Sequence, residues 1–129
     1  MSANENILII DDEKPIRDIL SASLEDEDYK VATAENGVEG LEKLKELKPA
    51  IALLDIWMPG DLDGIDVLRE AKAAGLPTEF VVMSGHGTIE TAVKATKLGA
   101  WDFVEKPLSL DRIHILLNNI FAFQKEKNQ

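Results

Sequence analysis

The chain contains no cysteine. That excludes disulfides, thiolate zinc sites and a cysteine nucleophile together. Long apolar runs are also missing: Ile7–Ile10 is closed off by Asp11, and no stretch approaches the ~18 residues of a membrane span. The opening Met1-Ser-Ala-Asn-Glu-Asn carries no basic residue and does not read as a signal peptide. Positive charge is scarce, with 14 Lys and Arg against 24 Asp and Glu for a formal net charge of −10. Cations are what release counterions from nucleic acid and attract anionic lipid, so this balance argues against either surface as a partner. No P-loop, no Gly-x-Gly-x-x-Gly and no zinc-ligand spacing occurs. The expectation is a soluble cytoplasmic protein.

What is present is ordinary for a globular domain: 129 residues, 45% hydrophobic and 29% charged, enough for one domain with its own core. Four short apolar runs stand out, at Ile7–Ile10, Ile51–Leu54, Phe80–Met83 and, more weakly, Trp101–Val104; Lys30–Ala34 makes a fifth. Between them lie stretches of helical spacing. Ile16, Ile19, Leu20 and Leu24 mark the first; Val38, Leu41, Leu44 and Leu47 the second; Ile65, Leu68 and Ala71 the third. Ile89, Val93 and Leu98 mark the fourth, and Ile113, Leu116, Leu117 and Ile120 the fifth. Short apolar strands alternating with helical patterns predict βαβ units and a parallel sheet covered on both faces. Pro15 suits a first helical turn behind an acidic cap, Asn36 with Glu39 resembles a capping box, and Gly75 and Gly99 mark helix ends. The fold class predicted is α/β, a flavodoxin-like (βα)5 doubly wound sandwich. Residues 1–124 form the domain, and 125–129 are a polar tail or the start of a linker.

Ligands of open doubly wound sheets bind beyond the carboxyl ends of the strands, so the residues that follow each strand carry the chemistry. These are Asp11, Asp12 and Glu13, then Asp55, then Ser84, then Lys106. In strand order 2-1-3-4-5, a common order of doubly wound sheets, they share one rim. Singly, each has a plain reading: acids after strands are most often helix caps, Ser84 a loop hydroxyl, Lys106 a solvated cation. Together, three carboxylates repel one another unless a hard cation holds them, and Mg2+ suits carboxylates with water and a phosphate oxygen. Asp11, Asp12 and Asp55 with Mg2+ and Lys106 sum to zero charge, which fits phosphoryl transfer onto a central Asp55.

The motifs Ile7-Leu-Ile-Ile-Asp-Asp-Glu, Leu54-Asp-Ile-Trp-Met-Pro-Gly, Ser84-Gly-His-Gly and Glu105-Lys-Pro resemble those of receiver domains of two-component response regulators, over about residues 5–123. The run from Ser84 and the stretch Gly99-Ala-Trp-Asp-Phe-Val-Glu-Lys-Pro are similar to the nitrogen-regulation branch, NtrC and NtrX. The resemblance implies that Asp55 accepts phosphate from a histidine kinase. It implies that Asp11, Asp12, Asp55 and the main-chain carbonyl of Trp57 hold Mg2+, with Mn2+ as a substitute. Ser84 takes the switch-hydroxyl position, Lys106 the lysine that pairs with the phosphoryl group, and Phe103 the rotating aromatic. Lys106-Pro107 is expected to be cis. The surface of the fourth helix, fifth strand and fifth helix is implied to change on phosphorylation and to pair into a homodimer, with transcription controlled through a further domain or partner. Two departures stand out. Pro59-Gly-Asp-Leu-Asp-Gly64 is one residue longer than the common form, and Phe103 replaces a commoner tyrosine.

Two other classes compete. A dehalogenase-type phosphatase needs a second acid two residues after the nucleophile, where this chain has Trp57; without that acid/base, turnover is disfavoured. A flavodoxin-like cofactor carrier needs a Ser/Thr/Gly-rich phosphate loop, and Asp11-Asp12-Glu13 would repel one. The expectation is therefore a regulatory phosphoacceptor that catalyses only its own phosphorylation and dephosphorylation. His86 is expected to have no role in the chemistry and His114 to be solvated or partly packed. Ile115, Phe121 and Phe123 are read as widening an interaction face on the last helix, and Trp57 as exposed beside the site.

Overall fold

The structure, a computed structural model, describes residues 6–85 and 89–127. Ten elements alternate strictly: β1 (Asn6–Ile10), α1 (Lys14–Glu25), β2 (Lys30–Ala34), α2 (Gly37–Leu47), β3 (Ile51–Asp55), α3 (Gly64–Ala73), β4 (Glu79–Ser84), α4 (Ile89–Lys97), β5 (Asp102–Glu105) and α5 (Leu110–Lys127). The strands form one parallel sheet ordered β2-β1-β3-β4-β5, the flavodoxin-like (βα)5 sandwich predicted from the sequence. No helix among the described residues is long and apolar enough to cross a membrane.

Strand period two divides the core. Leu8, Ile10, Leu54, Phe80 and Val82 point to one face, where α2, α3 and α4 supply Leu44, Leu68 and Ala95. Ile7, Ile9, Leu53, Val81 and Met83 point to the other, against Leu20 and Leu24 of α1 and Ile113, Leu117 and Ile120 of α5. Each fully buried Leu or Ile contributes roughly 1.5–3 kcal/mol relative to exposure, which is why these strands read as unbroken apolar runs.

Helix faces hold the main differences from the expected pattern. In α4 the side chains turned inward are Ala92 and Ala95, while Ile89 and Val93 are exposed; small residues on the inner stripe let the helix lie close to the sheet. Ile19, Val38 and Leu47 also face outward. The fifth strand starts one residue later than expected, at Asp102. Trp101 still donates its N–H to the Phe80 carbonyl (2.7 Å) and meets Phe123 edge-on, with ring centroids 5.2 Å apart. Phe121 stacks on Tyr29 at 5.2 Å, so local packing accounts for it. Ile115 lies beside Glu27, His114 and Asn118, on the α1 side of the helix.

Caps follow the sequence with adjustments. Asn36 accepts from the Glu39 N–H (2.8 Å), but Glu39 reaches back to the Glu35 N–H rather than to Asn36 itself. The reciprocal capping box is at α3, where Asp63 and Asp66 bond each other's main chain. Glu13 occupies the cap position of α1 ahead of Pro15 without a side-chain capping bond. Gly75 and Gly99 adopt φ of 71° and 114° just past α3 and α4, as helix-terminating glycines do. α5 stays helical through Lys127 rather than fraying from Gln124, and Gln124 Nε2 donates to the Ala50 carbonyl at the head of β3 (3.0 Å).

Candidate functional site

Asp11 is the first residue beyond β1, Asp55 the last of β3, Ser84 the last of β4, and Lys106 the first beyond β5. β1, β3, β4 and β5 are neighbours in the sheet, so these positions converge on one rim. The ends are tied together through the backbone. Asp11 N–H donates to Ala34 O (3.1 Å), Ile56 N–H to Met83 O (3.0 Å) and Lys106 N–H to Ser84 O (2.8 Å). Arg17 braces the first turn by donating to the Asp11 carbonyl (2.9 Å). The Lys106-Pro107 peptide is cis, as the resemblance implied.

Carboxylate oxygens of Asp11, Asp12, Glu13 and Asp55 lie within 4.8 Å of one another. Asp11 is fully buried and Asp55 is 3% exposed. Asp55 Oδ1 accepts from the Trp57 N–H (3.2 Å), and Asp11 Oδ1 from the Glu13 N–H (2.8 Å). Lys106 Nζ enters the cluster as its cation, 2.8 Å from Glu13 Oε2, 2.9 Å from Asp11 Oδ2 and 3.4 Å from Asp55 Oδ2. The Asp11 contact is ion-pair proximity; its approach is off the line a hydrogen bond needs, and Asp11 Oδ2 has no hydrogen-bond partner among the described residues.

Burial first, then the neighbouring Asp11 charge, push the Asp55 carboxyl up to about 7, against the opposing pull of Lys106 and the Trp57 N–H. Burial raises Asp11 as well, despite its bond from Glu13 and the nearby ammonium. For Lys106, burial favours the neutral amine, but Glu13 and Asp11 outweigh it and hold the proton more tightly than usual. These shifts describe a site with excess negative charge out of water. A hard divalent cation meets that demand with oxygen ligands already gathered. Four carboxylates within 4.8 Å of one another, sharing the one ammonium of Lys106 among the described residues, are the observation that makes the residues fit Mg2+.

The rim predicted from the sequence is thus brought together. Ser84 is 1% exposed and its Oγ has no partner among the described residues. Buried hydroxyls are rarely left so unless something else satisfies them. Trp57 stands 73% exposed at the edge. Phe103 is half-buried against the α2–α4 side of the core, its carbonyl 3.4 Å from Arg112 Nη2. His114 is partly packed, with Nε2 2.8 Å from Ser23 Oγ between α5 and α1; His86 lies outside the described residues. Glu13, which the sequence places after β1 without a role, joins the site through Lys106; as a third acid in Asp11-Asp12-Glu13 it reads in sequence as a helix cap. Gly64 was missed: a Cβ there would stand 2.4 Å from the Asp55 carbonyl oxygen and 2.5 Å from Ile56 Cα, so α3 starts against the backbone that presents Asp55.

The fold and this rim define a receiver, and the sequence comparison agrees: the family described as Response regulator receiver domain matches residues 7–118, and the chain belongs to it. Within that family it is similar to NtrX-type regulators. It is 42% identical over 112 residues to the nitrogen assimilation regulatory protein NtrX of Azorhizobium caulinodans, covering 86% of this chain and 25% of the relative. It is 39% identical to a putative NtrX-like response regulator of Rickettsia felis, covering 96% and 26%. The crystal structure of the receiver domain of NtrX from Brucella abortus superposes with a TM-score of 0.84 at 39% identity, covering 90% of this chain and 98% of that one. The chain spans about a quarter of the length of these curated relatives.

Proposed function

We propose that this receiver is a phosphorylation-controlled switch in which Asp55 accepts a phosphoryl group from a histidine kinase in a Mg2+-dependent reaction. The observation that carries the reading is the convergence on one acidic rim of a buried carboxylate at β3, a three-way-paired ammonium at β5 and, at β4, a buried hydroxyl with no partner among the described residues. Asp11, Asp12, Asp55 and the Trp57 carbonyl would hold Mg2+, which supplies charge neutralisation for the incoming phosphoryl oxygens.

The chain's own groups do the rest. An Asp55 carboxylate oxygen attacks phosphorus, the phosphorus–nitrogen bond of the phosphohistidine breaks, and the released imidazole takes up a proton. The Trp57 N–H on Oδ1 fixes the carboxylate plane. Lys106, 3.4 Å away, pairs with a new phosphoryl oxygen, and Ser84 Oγ donates to another. Drawing Ser84 inward frees room for Phe103 to turn, which reshapes the face of α4, β5 and α5. That is a biased two-state element. On this face Ile89 and Val93 stand exposed on α4, which supports a homodimer contact here and, through a downstream domain or partner, control of transcription. The absence of an acid at Trp57 supports a regulatory role over a turnover phosphatase.

Incubation with acetyl phosphate and Mg2+ should load one phosphoryl group per chain, and chelation should prevent it. Asp55→Asn should take none. Undiminished loading of that variant would overturn the assignment.

A further inference from the structure

Lys106 is held less closely by Asp55 than by its other two partners, and the closest contact, 2.8 Å, is to Glu13. The Glu13 backbone is pinned: its N–H donates to Asp11 Oδ1 (2.8 Å), and its carbonyl accepts from the N–H groups of Ile16 and Arg17, each at 3.1 Å. The side chain makes no capping bond to α1 and is directed across the rim to the ammonium. Asp11 grips Lys106 from a fully buried position, whereas the Glu13 side chain is 56% exposed. Water screens the Glu13 contact, so of the two close contacts it is the one that can be released at small cost.

Building on the phosphoacceptor reading of Asp55, we propose that Glu13 is a positioning residue for Lys106: it holds the ammonium at the rim while Asp55 is free, and that hold sets how readily Lys106 passes to a phosphoryl oxygen. A contact made in the starting state and given up on phosphorylation stabilises only the starting state, and so opposes transfer. Glu13 is thereby a tuner of loading, not a ligand of the phosphoryl group. Reach matters as much as charge. Glu13→Asp keeps the charge but shortens the arm by one methylene, so it loses the contact; Glu13→Gln keeps the length and loses the charge.

Two readouts test this. In the free protein, side-chain nitrogen NMR of the Lys106 ammonium should show proton exchange faster in both variants by about two- to five-fold, the scale of a partly exposed ion pair. With acetyl phosphate, both variants should load Asp55 faster by a similar factor, with unchanged circular dichroism. Mg2+ affinity, titrated with the metal alone through Trp57 fluorescence, should stay within about two-fold of wild type. Unchanged ammonium exchange, or Glu13→Asp behaving as wild type in loading, would overturn the proposal. A large parallel loss of Mg2+ affinity would do so as well, by making Glu13 a metal ligand. If wild type takes no label at Asp55, the parent reading fails by itself, and the ammonium signal still reports whether Glu13 holds Lys106.

Discussion

At the scale of single residues, the site is organised by buried charge that is not fully compensated. Asp55 carries the clearest consequence. Its folded-state value of about 7 lies above the ordinary 3.8, so the folded protein binds the proton more tightly than the unfolded chain. The resulting stabilisation is complete below the ordinary value and is lost as pH rises through about 7; Asp11 acts in the same direction. Metal-free wild type should therefore lose stability relative to Asp55→Asn between about pH 5 and about pH 7.5, by on the order of 2 kcal/mol. Parallel thermal-unfolding profiles for the two proteins would refute this. Ser84 gives a second, opposite-looking expectation. Among the described residues its hydroxyl has no partner, so Ser84→Ala should fold with stability within about 1 kcal/mol of wild type by urea denaturation, while the phosphorylated protein loses its dimerisation response. Asp11, Asp55 and Ser84 are legible in the sequence because each closes an apolar run, and Lys106 because it follows one with only Glu105 between. The role of Glu13 is not, since an acid ahead of Pro15 is equally what a helix start looks like and only the rim geometry shows where its carboxylate goes.

Among the elements, the junction between β3 and α3 matters most. Gly64 lets the first turn of α3 rest on the Asp55 and Ile56 backbone, and its N–H donates to Ile56 O (2.9 Å). The longer Pro59–Gly64 loop is accommodated by Asp63 and Asp66 closing a capping box around its exit. Gly64→Ala should destabilise by about 1–3 kcal/mol through overpacking against backbone that cannot yield. Asp63→Ala should cost about 1 kcal/mol as a lost cap. Urea titrations separate the two, and a Gly64→Ala protein as stable as wild type would show that the loop shifts freely. Element order and type were legible because period-two strands and period-3.6 helices differ so plainly. The outward faces were not: counting apolar residues in α4 selected Ile89 and Val93, while close packing on the sheet required the smaller Ala92 and Ala95.

For the whole molecule, sheet order converts scattered sequence positions into one site. Placing β1 beside β3 brings Asp11, Asp12 and Glu13 to the same edge as Asp55; the acids Glu25–Asp28 lie at the far end of α1 and are exposed. Four of the chain's 24 acids are thereby gathered at one edge. Mg2+ binding only to the folded state should stabilise it by about 2.7 kcal/mol at a hundredfold excess over Kd, with a smaller effect in Asp55→Asn; equal melting shifts in both proteins would count against Asp55 as a ligand. The most direct measurement of the central claim is the location of the phosphoryl group. Wild-type protein loaded with acetyl phosphate, reduced with borohydride and digested should carry the reduced acyl-phosphate product at Asp55. Finding it at Asp11, Asp12 or Glu13 instead would contradict the account.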